Sequence, residues 1–226
     1  MAFAAIREFL KLQGIHYQAP AKAGVLAPEM EQYRALAQAA RKEFTDLVSA
    51  FQQRHPYLEQ DRTSHDEPGP GLAAHFWAYL KGEGTMAEPM FALRLYGDAA
   101  DFGVSLEVSF IERKKDEQSL QKQHKVLTLP ISQPVYYFAQ KNGESQRVEG
   151  TEKNRHDLLQ AVAEGAVRKV LVKYDVSLVE ERSLENILDQ LQEALVALEP
   201  ITWQPVRCRK VFSDLYLQQF AIAIDK

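Results

Sequence analysis

The run from Ser105 to Lys114, SLEVSFIERK, alternates apolar and polar side chains and then ends in acid and base. In an extended strand, period-two alternation puts Glu112 and Lys114 on one face. A carboxylate beside a lysine at that spacing can hold a divalent cation and steady an attacking water or a scissile phosphate. Such chemistry needs a second carboxylate. Asp98 and Asp101 fall in the turn before this strand, at its far end. If that turn sets Gly97 opposite Phe102, antiparallel pairing sets Glu88 opposite Ile111, next door to Glu112. Glu88, Glu112 and Lys114, with Glu83 in the adjoining link, therefore form a candidate catalytic set for a Mg²⁺-dependent nuclease or phosphodiesterase. Mg²⁺ is a cofactor on this reading alone; otherwise none is expected.

Across residues 83–114 the layout loosely resembles the PD-(D/E)xK nuclease pattern. It departs from that pattern in having Glu88 where the family has aspartate, and Pro89 after the acid rather than before it. The resemblance implies metal-dependent phosphodiester cleavage. A plainer account has Glu112, Arg113 and Lys114 as the wet end of a strand, where surface ion pairs contribute little. We prefer the plainer account. Asp101-Phe102-Gly103 spells a kinase metal-binding triplet, but the chain has no HRD loop and no GxGxxG, so that match is chance.

A second constellation lies on the same strands. Alternation places His75, Trp77 and Tyr79 on one face of a first strand, Arg94 and Tyr96 on one face of a second, and Ser105, Glu107 and Ser109 on one face of a third. Rows 75–94–105 and 77–92–107 bring all of these to one side of the sheet. The other side is uniformly apolar, from Leu72 through Phe91, Leu93 and Leu95 to Val104, Leu106 and Phe110, and must face helices. Aromatic rings among hydrogen-bonding groups are how proteins commonly hold bases, peptides or small planar ligands. His75, Trp77, Tyr79, Arg94, Tyr96 and Glu107 are thus the candidate ligand-binding residues. The competing account is a half-covered face with Arg94–Glu107 as a cross-strand ion pair.

These residues need elements to carry them. Apolar residues Ile6, Phe9 and Leu10 predict a short opening helix ended by Gly14. Met30, Tyr33, Ala37, Ala40, Phe44, Leu47 and Phe51 recur at steps of three and four, predicting a long helix over 29–54 with one apolar seam. Residues 59–71, rich in charge, Pro and Gly, read as a loop that could act as a lid. Strands follow at 72–82, 88–97 and 102–114 as an antiparallel meander, then a short helical excursion. A further strand over 134–143 turns at Asn142-Gly143, a strong hairpin signal. Thr151 and Ser183 are candidate caps for two helices, the first turning Leu158, Leu159 and Val162 inward. Between them VRKVLVKYDVSL is a strand whose spaced lysines suit an edge. The tail from Arg209 is expected to be helical.

Composition bounds the function. At 226 residues the chain can bury a core without disulfide or metal, and its 46% hydrophobic content is ordinary. Cys208 is the only cysteine, so neither an intramolecular disulfide nor a cysteine-built zinc site is possible. The histidines show no metal-ligand spacing, so no metal site is expected on them. The net charge of −4 does not favour nucleic acid, although a local basic face remains open. The first residues are too charged for a signal peptide, and no run is long enough for a membrane span. The expectation is a single α+β domain over 1–226, an antiparallel meander sheet of about four to six strands with a long N-terminal helix and C-terminal helices packed on it. The expected role is a cytoplasmic, non-enzymatic ligand- or partner-binding accessory domain whose partner is unknown. The alternatives are the Mg²⁺-dependent nuclease, and an oligomerisation module, such as a homodimer, built on the seam of helix 29–54.

Overall fold

The computed structural model describes residues 3–64, 76–82, 90–109, 117–180 and 182–202. Helix α1 (Ala4–Leu10) buries Ile6, Phe9 and Leu10, as its apolar spacing dictates. Helix α2 (Ala27–Arg54) has Pro28 in its first turn, where a missing N–H costs nothing. Its seam is buried at Met30, Ala37, Ala40, Phe44, Leu47 and Phe51, while Tyr33 is only partly covered. That seam lies in the chain's own core, packed with α1 and the sheet.

The chain is α+β, and its sheet is larger than expected. Among the described residues, seven antiparallel-paired strands lie in the order β1-β2-β3-β4-β7-β5-β6. They are β1 (Glu59–Thr63), β2 (Trp77–Lys81), β3 (Met90–Gly97), β4 (Phe102–Ser109), β5 (Tyr136–Lys141), β6 (Glu144–Glu149) and β7 (Val167–Ser177). Strands β2, β3 and β4 form the expected meander, and β5–β6 form the hairpin expected at Asn142-Gly143, where both residues have positive φ. Helix α3 (Glu117–His124) is the short excursion before that hairpin.

Two expectations need correction here. Glu59–Thr63 is not a loop: it pairs with β2 as an edge strand, with a register shift between Gln60 and Arg62. An edge strand shares hydrogen bonds on one side only, so a polar sequence does not disqualify it. Strand β7, in contrast, is no edge; it sits between β4 and β5. Val170, Val172 and Val176 face the core, and the charge of Lys173 is met by a carboxylate rather than by water.

Helix α4 (Glu152–Ala163) carries the chain from β6 across β5 to β7, and helix α5 (Leu184–Leu198) packs on β7 and β4. Leu158 of α4 is buried as expected, but Leu159 is 38% exposed, one helical step off the buried stripe. The caps read from sequence are made: Asn154 N donates to Thr151 Oγ1 and Asn186 N to Ser183 Oγ, each at 3.2 Å. Ser183→Ala is expected to lower stability by about 1 kcal/mol in a denaturant titration, with Ser183→Gly losing less.

One core cluster joins the buried residues of α1, α2, α4 and α5 to one face of the sheet: Phe76, Ala78, Leu80, Phe91, Leu93, Val104, Leu106, Val108 and their neighbours. Phe9 stacks on Phe76 with ring centroids 5.6 Å apart, fixing α1 over that face. His55, just past α2, is buried against Phe51 and Tyr57, with Nε2 unpartnered. Burial, helped by the neighbouring Arg54 charge, lowers its pKa from 6.5 to about 4. A histidine held neutral in the fold must be charged in acid, so its stabilising contribution is present above pH 6.5 and is lost as pH falls toward 4. With partial solvent screening the loss is on the order of 2 kcal/mol. Chemical unfolding at pH 7 and pH 4.5 should show a smaller pH dependence in His55→Gln than in the parent.

Candidate functional site

The face of the sheet opposite that core is built by the same alternation. Trp77, Arg94, Ser105 and Asp175 lie in one row across β2, β3, β4 and β7. Tyr79, Ala92, Glu107, Lys173, Tyr136 and Glu149 lie in the next, reaching β5 and β6. Met90, Ala92 and Tyr136 are buried on this side but stand outside the core cluster. Among the described residues, Arg94–Glu107, Lys173–Glu107, Tyr136–Asp175, Arg147–Asp175, Arg147 over Tyr136 and Lys173 over Phe138 join strand to strand on this face, and Trp77 meets Tyr79 within β2.

On this face β3 carries Met90, Ala92, Arg94 and Tyr96 and β4 carries Gly103, Ser105, Glu107 and Ser109, with Trp77 and Tyr79 on one side and Lys173, Asp175 and Tyr136 on the other. Trp77 and Tyr79 are half-buried and meet edge to face, ring centroids 5.1 Å apart. Tyr96, directly opposite Gly103, lies so close that a Cβ on Gly103 would stand 2.6 Å from its hydroxyl oxygen and 2.3 Å from the Val176 carbonyl. That position admits only glycine without movement. Burial and the nearby carboxylates of Asp175 and Asp101 push the Tyr96 phenol upward, so it stays protonated and able to donate.

Glu107 is fully buried and is the electrostatic centre. Arg94 donates through Nε to its Oε1 at 3.1 Å, and Lys173 Nζ sits 2.9 Å from its Oε2. Burial alone would raise the carboxyl pKa, but the Lys173 and Arg94 charges outweigh it and hold the group below its usual range. Next door, both oxygens of Asp175 lie 2.9 Å from the Tyr136 hydroxyl, and Arg147 Nη1 reaches one of them at 3.4 Å. Arg147 stacks over the Tyr136 ring, and Lys173 lies over that of Phe138. The hydroxyls of Ser105 and Ser109, each in a residue 1% exposed, have no hydrogen-bond partner.

The structure therefore brings together Trp77, Tyr79, Arg94, Tyr96 and Glu107 from the sequence-derived ligand set. His75 lies outside the described residues, as do Glu88, Glu112 and Lys114 of the nuclease set. The turn register is as expected, Gly97 opposite Phe102, but β2 is displaced by two residues: Trp77, not His75, stands opposite Arg94. A slip of two preserves which face each side chain takes, so the set survives it. Sequence reasoning missed Lys173, Asp175, Tyr136 and Arg147. The parity of Lys173 and Asp175 against Val170, Val172 and Val176 was the available signal, and it pointed here only once β7 was placed beside β4. Among the described residues no cluster of three or more His, Cys, Asp or Glu side chains could hold a metal ion, and no helix is long and apolar enough to cross a membrane. No protein-family model, curated protein or solved structure matches the chain.

Proposed function

We propose that the chain is a non-enzymatic binding domain whose ligand sits on the aromatic and polar face around Glu107. The observation that carries this reading is the pair of buried, unpartnered hydroxyls of Ser105 and Ser109 on either side of that carboxylate. A buried hydroxyl without a partner costs about 1–3 kcal/mol, and a fold retains such groups where something else uses them. Partly buried Trp77 and Tyr79 supply ring surface beside them. Among the described residues of this face none pairs a nucleophile with a base: Glu107 is held between two cations.

Tryptophan fluorescence tests the reading. In a Trp203→Phe background Trp77 is the only indole. Titrating a panel of planar heteroaromatic fragments should give a saturable change in its emission and protect it from acrylamide quenching. A Trp77 that no fragment affects, in a variant that melts like the parent, would count against the face as a binding surface.

A further inference from the structure

We infer that residues 203–226 dock on the Glu107 face of their own chain, so that the first ligand of this face is a segment of the same molecule. The inference rests on the binding reading above and names the occupant. Its first support is the burial of the face. Met90, Ala92, Ser105, Glu107 and Ser109, on β3 and β4, are each 2% exposed or less. Neighbours on strands ~4.8 Å away cover the flanks of a side chain as short as Ala92 or Ser105 and leave its outer surface open. Among the described residues, the buried side chains of α1, α2, α4 and α5 join the core on the opposite face. The ion pairs and ring contacts of this face run between and within its own strands. The cover is therefore sought in the chain outside the described residues.

The second support is reach. Residues 65–75 and 83–89 must each return to the next strand, and 110–116 to α3, whereas 203–226 have no described element to return to. They leave from Thr202, just past the turn Glu199–Ile201. The Tyr57 hydroxyl donates to Glu199 Oε1 at 3.3 Å, which ties this turn to the start of β1, at the end of the sheet where Glu59 pairs with Lys81. Met90 and Ser109 stand at that same end. Residues 203–208, at up to ~3.3 Å each, can pass around it. Residues 209–226, as the helix expected from sequence, span about 27 Å, against about 26 Å for the eight residues of β3. The third support is chemistry. Val211, Phe212, Leu215, Tyr216 and Ile222 fall on one side of such a helix and would set an apolar stripe on Met90, Ala92, Trp77 and Tyr79. Gln219 falls inside that stripe, and its amide both donates and accepts, as the unpartnered hydroxyls of Ser105 and Ser109 require. The stripe carries no charge, so Glu107 keeps Arg94 and Lys173 beneath it.

The test is paramagnetic broadening in the ¹⁵N-labelled full chain. Cys208→Ser/Ala221→Cys puts a single thiol on the side of the expected helix away from the stripe, where a nitroxide leaves the docking surface untouched. The label should broaden the amides of Ala92, Ser105 and Glu107 far more than those of α2. Broadening that spares β3 and β4 would overturn the inference. A spin-labelled chain mixed with a ¹⁵N chain lacking the label should broaden nothing; broadening there would assign the face to a second copy's segment and overturn docking within the chain. Leu215→Asp/Ile222→Asp in the spin-labelled chain should abolish the broadening, and unchanged broadening would overturn the apolar stripe as its cause. The same pair of changes should tighten fragment binding at Trp77, by about tenfold if the segment occupies the face about nine-tenths of the time. Fragments that bind at Trp77 in a chain whose label leaves β3 and β4 sharp would overturn this inference and leave the binding reading standing. Silence in both measurements would remove both.

Discussion

Replacing Glu107 by glutamine is expected to lower the unfolding free energy by about 3–5 kcal/mol, the cost of leaving a buried charge without its partner. Two cations depend on this carboxylate: Lys173, 2.9 Å from Oε2, and Arg94, 3.1 Å from Oε1. The amide keeps the shape and removes the charge, so the loss reports electrostatics rather than a cavity. Glu107→Gln/Lys173→Met should recover part of it, because it removes one stranded cation together with the anion. The pH dependence has a definite sign. The folded-state pKa of Glu107 lies below its ordinary value of 4.5, so its contribution is present above that value and is lost as pH falls through the lower folded-state pKa. This window lies below that of His55, which opens at pH 6.5, so urea titrations at several pH values separate the two. A Glu107→Gln variant as stable as the parent would mean that the ion triad contributes nothing net.

Gly103→Ala should also destabilise the fold, by less and for a different reason. The added methyl meets the Val176 carbonyl at 2.3 Å and the Tyr96 ring carbon that bears the hydroxyl at 2.7 Å. The Tyr96 ring can swing aside; the Val176 backbone, paired across β4 and β7, can move only by distorting the ladder. Overpacking of this kind costs about 1–3 kcal/mol. Tyr96→Ala in the same background relieves only the ring contact, so the double variant should recover a minor share of the loss. Full recovery would place the constraint on the ring alone and not on the strand pair.

These residues also mark what the sequence made legible. The faces of β2, β3 and β4 followed from period-two alternation, because one side is apolar without exception and the other mixes rings with charge. The Arg94–Glu107 pair followed from the same parity. The register of β2 did not, since it depends on the length of the chain between β2 and β3 and alternation is blind to a shift of two. The position of β7 was hidden for a related reason. Lys169 and Lys173 share a face, and from sequence alone a shared lysine face looks solvated; only the placement of β4 beside β7 reveals Glu107 as the partner of Lys173. Long-range pairing decided the second half of the site, and local pattern carries little of that information. Strand β1 was missed because an edge strand needs no apolar alternation.

The central claim is that the Glu107 face holds a ligand, and the most direct measurement is a ¹⁵N–¹H spectrum of the full chain titrated with a small panel of planar heteroaromatic fragments. The account predicts saturable shifts concentrated at Trp77, Tyr79, Arg94, Ser105 and Glu107, with the Trp77 indole among the largest. Saturable shifts that cluster elsewhere, with these five residues unmoved, would contradict it.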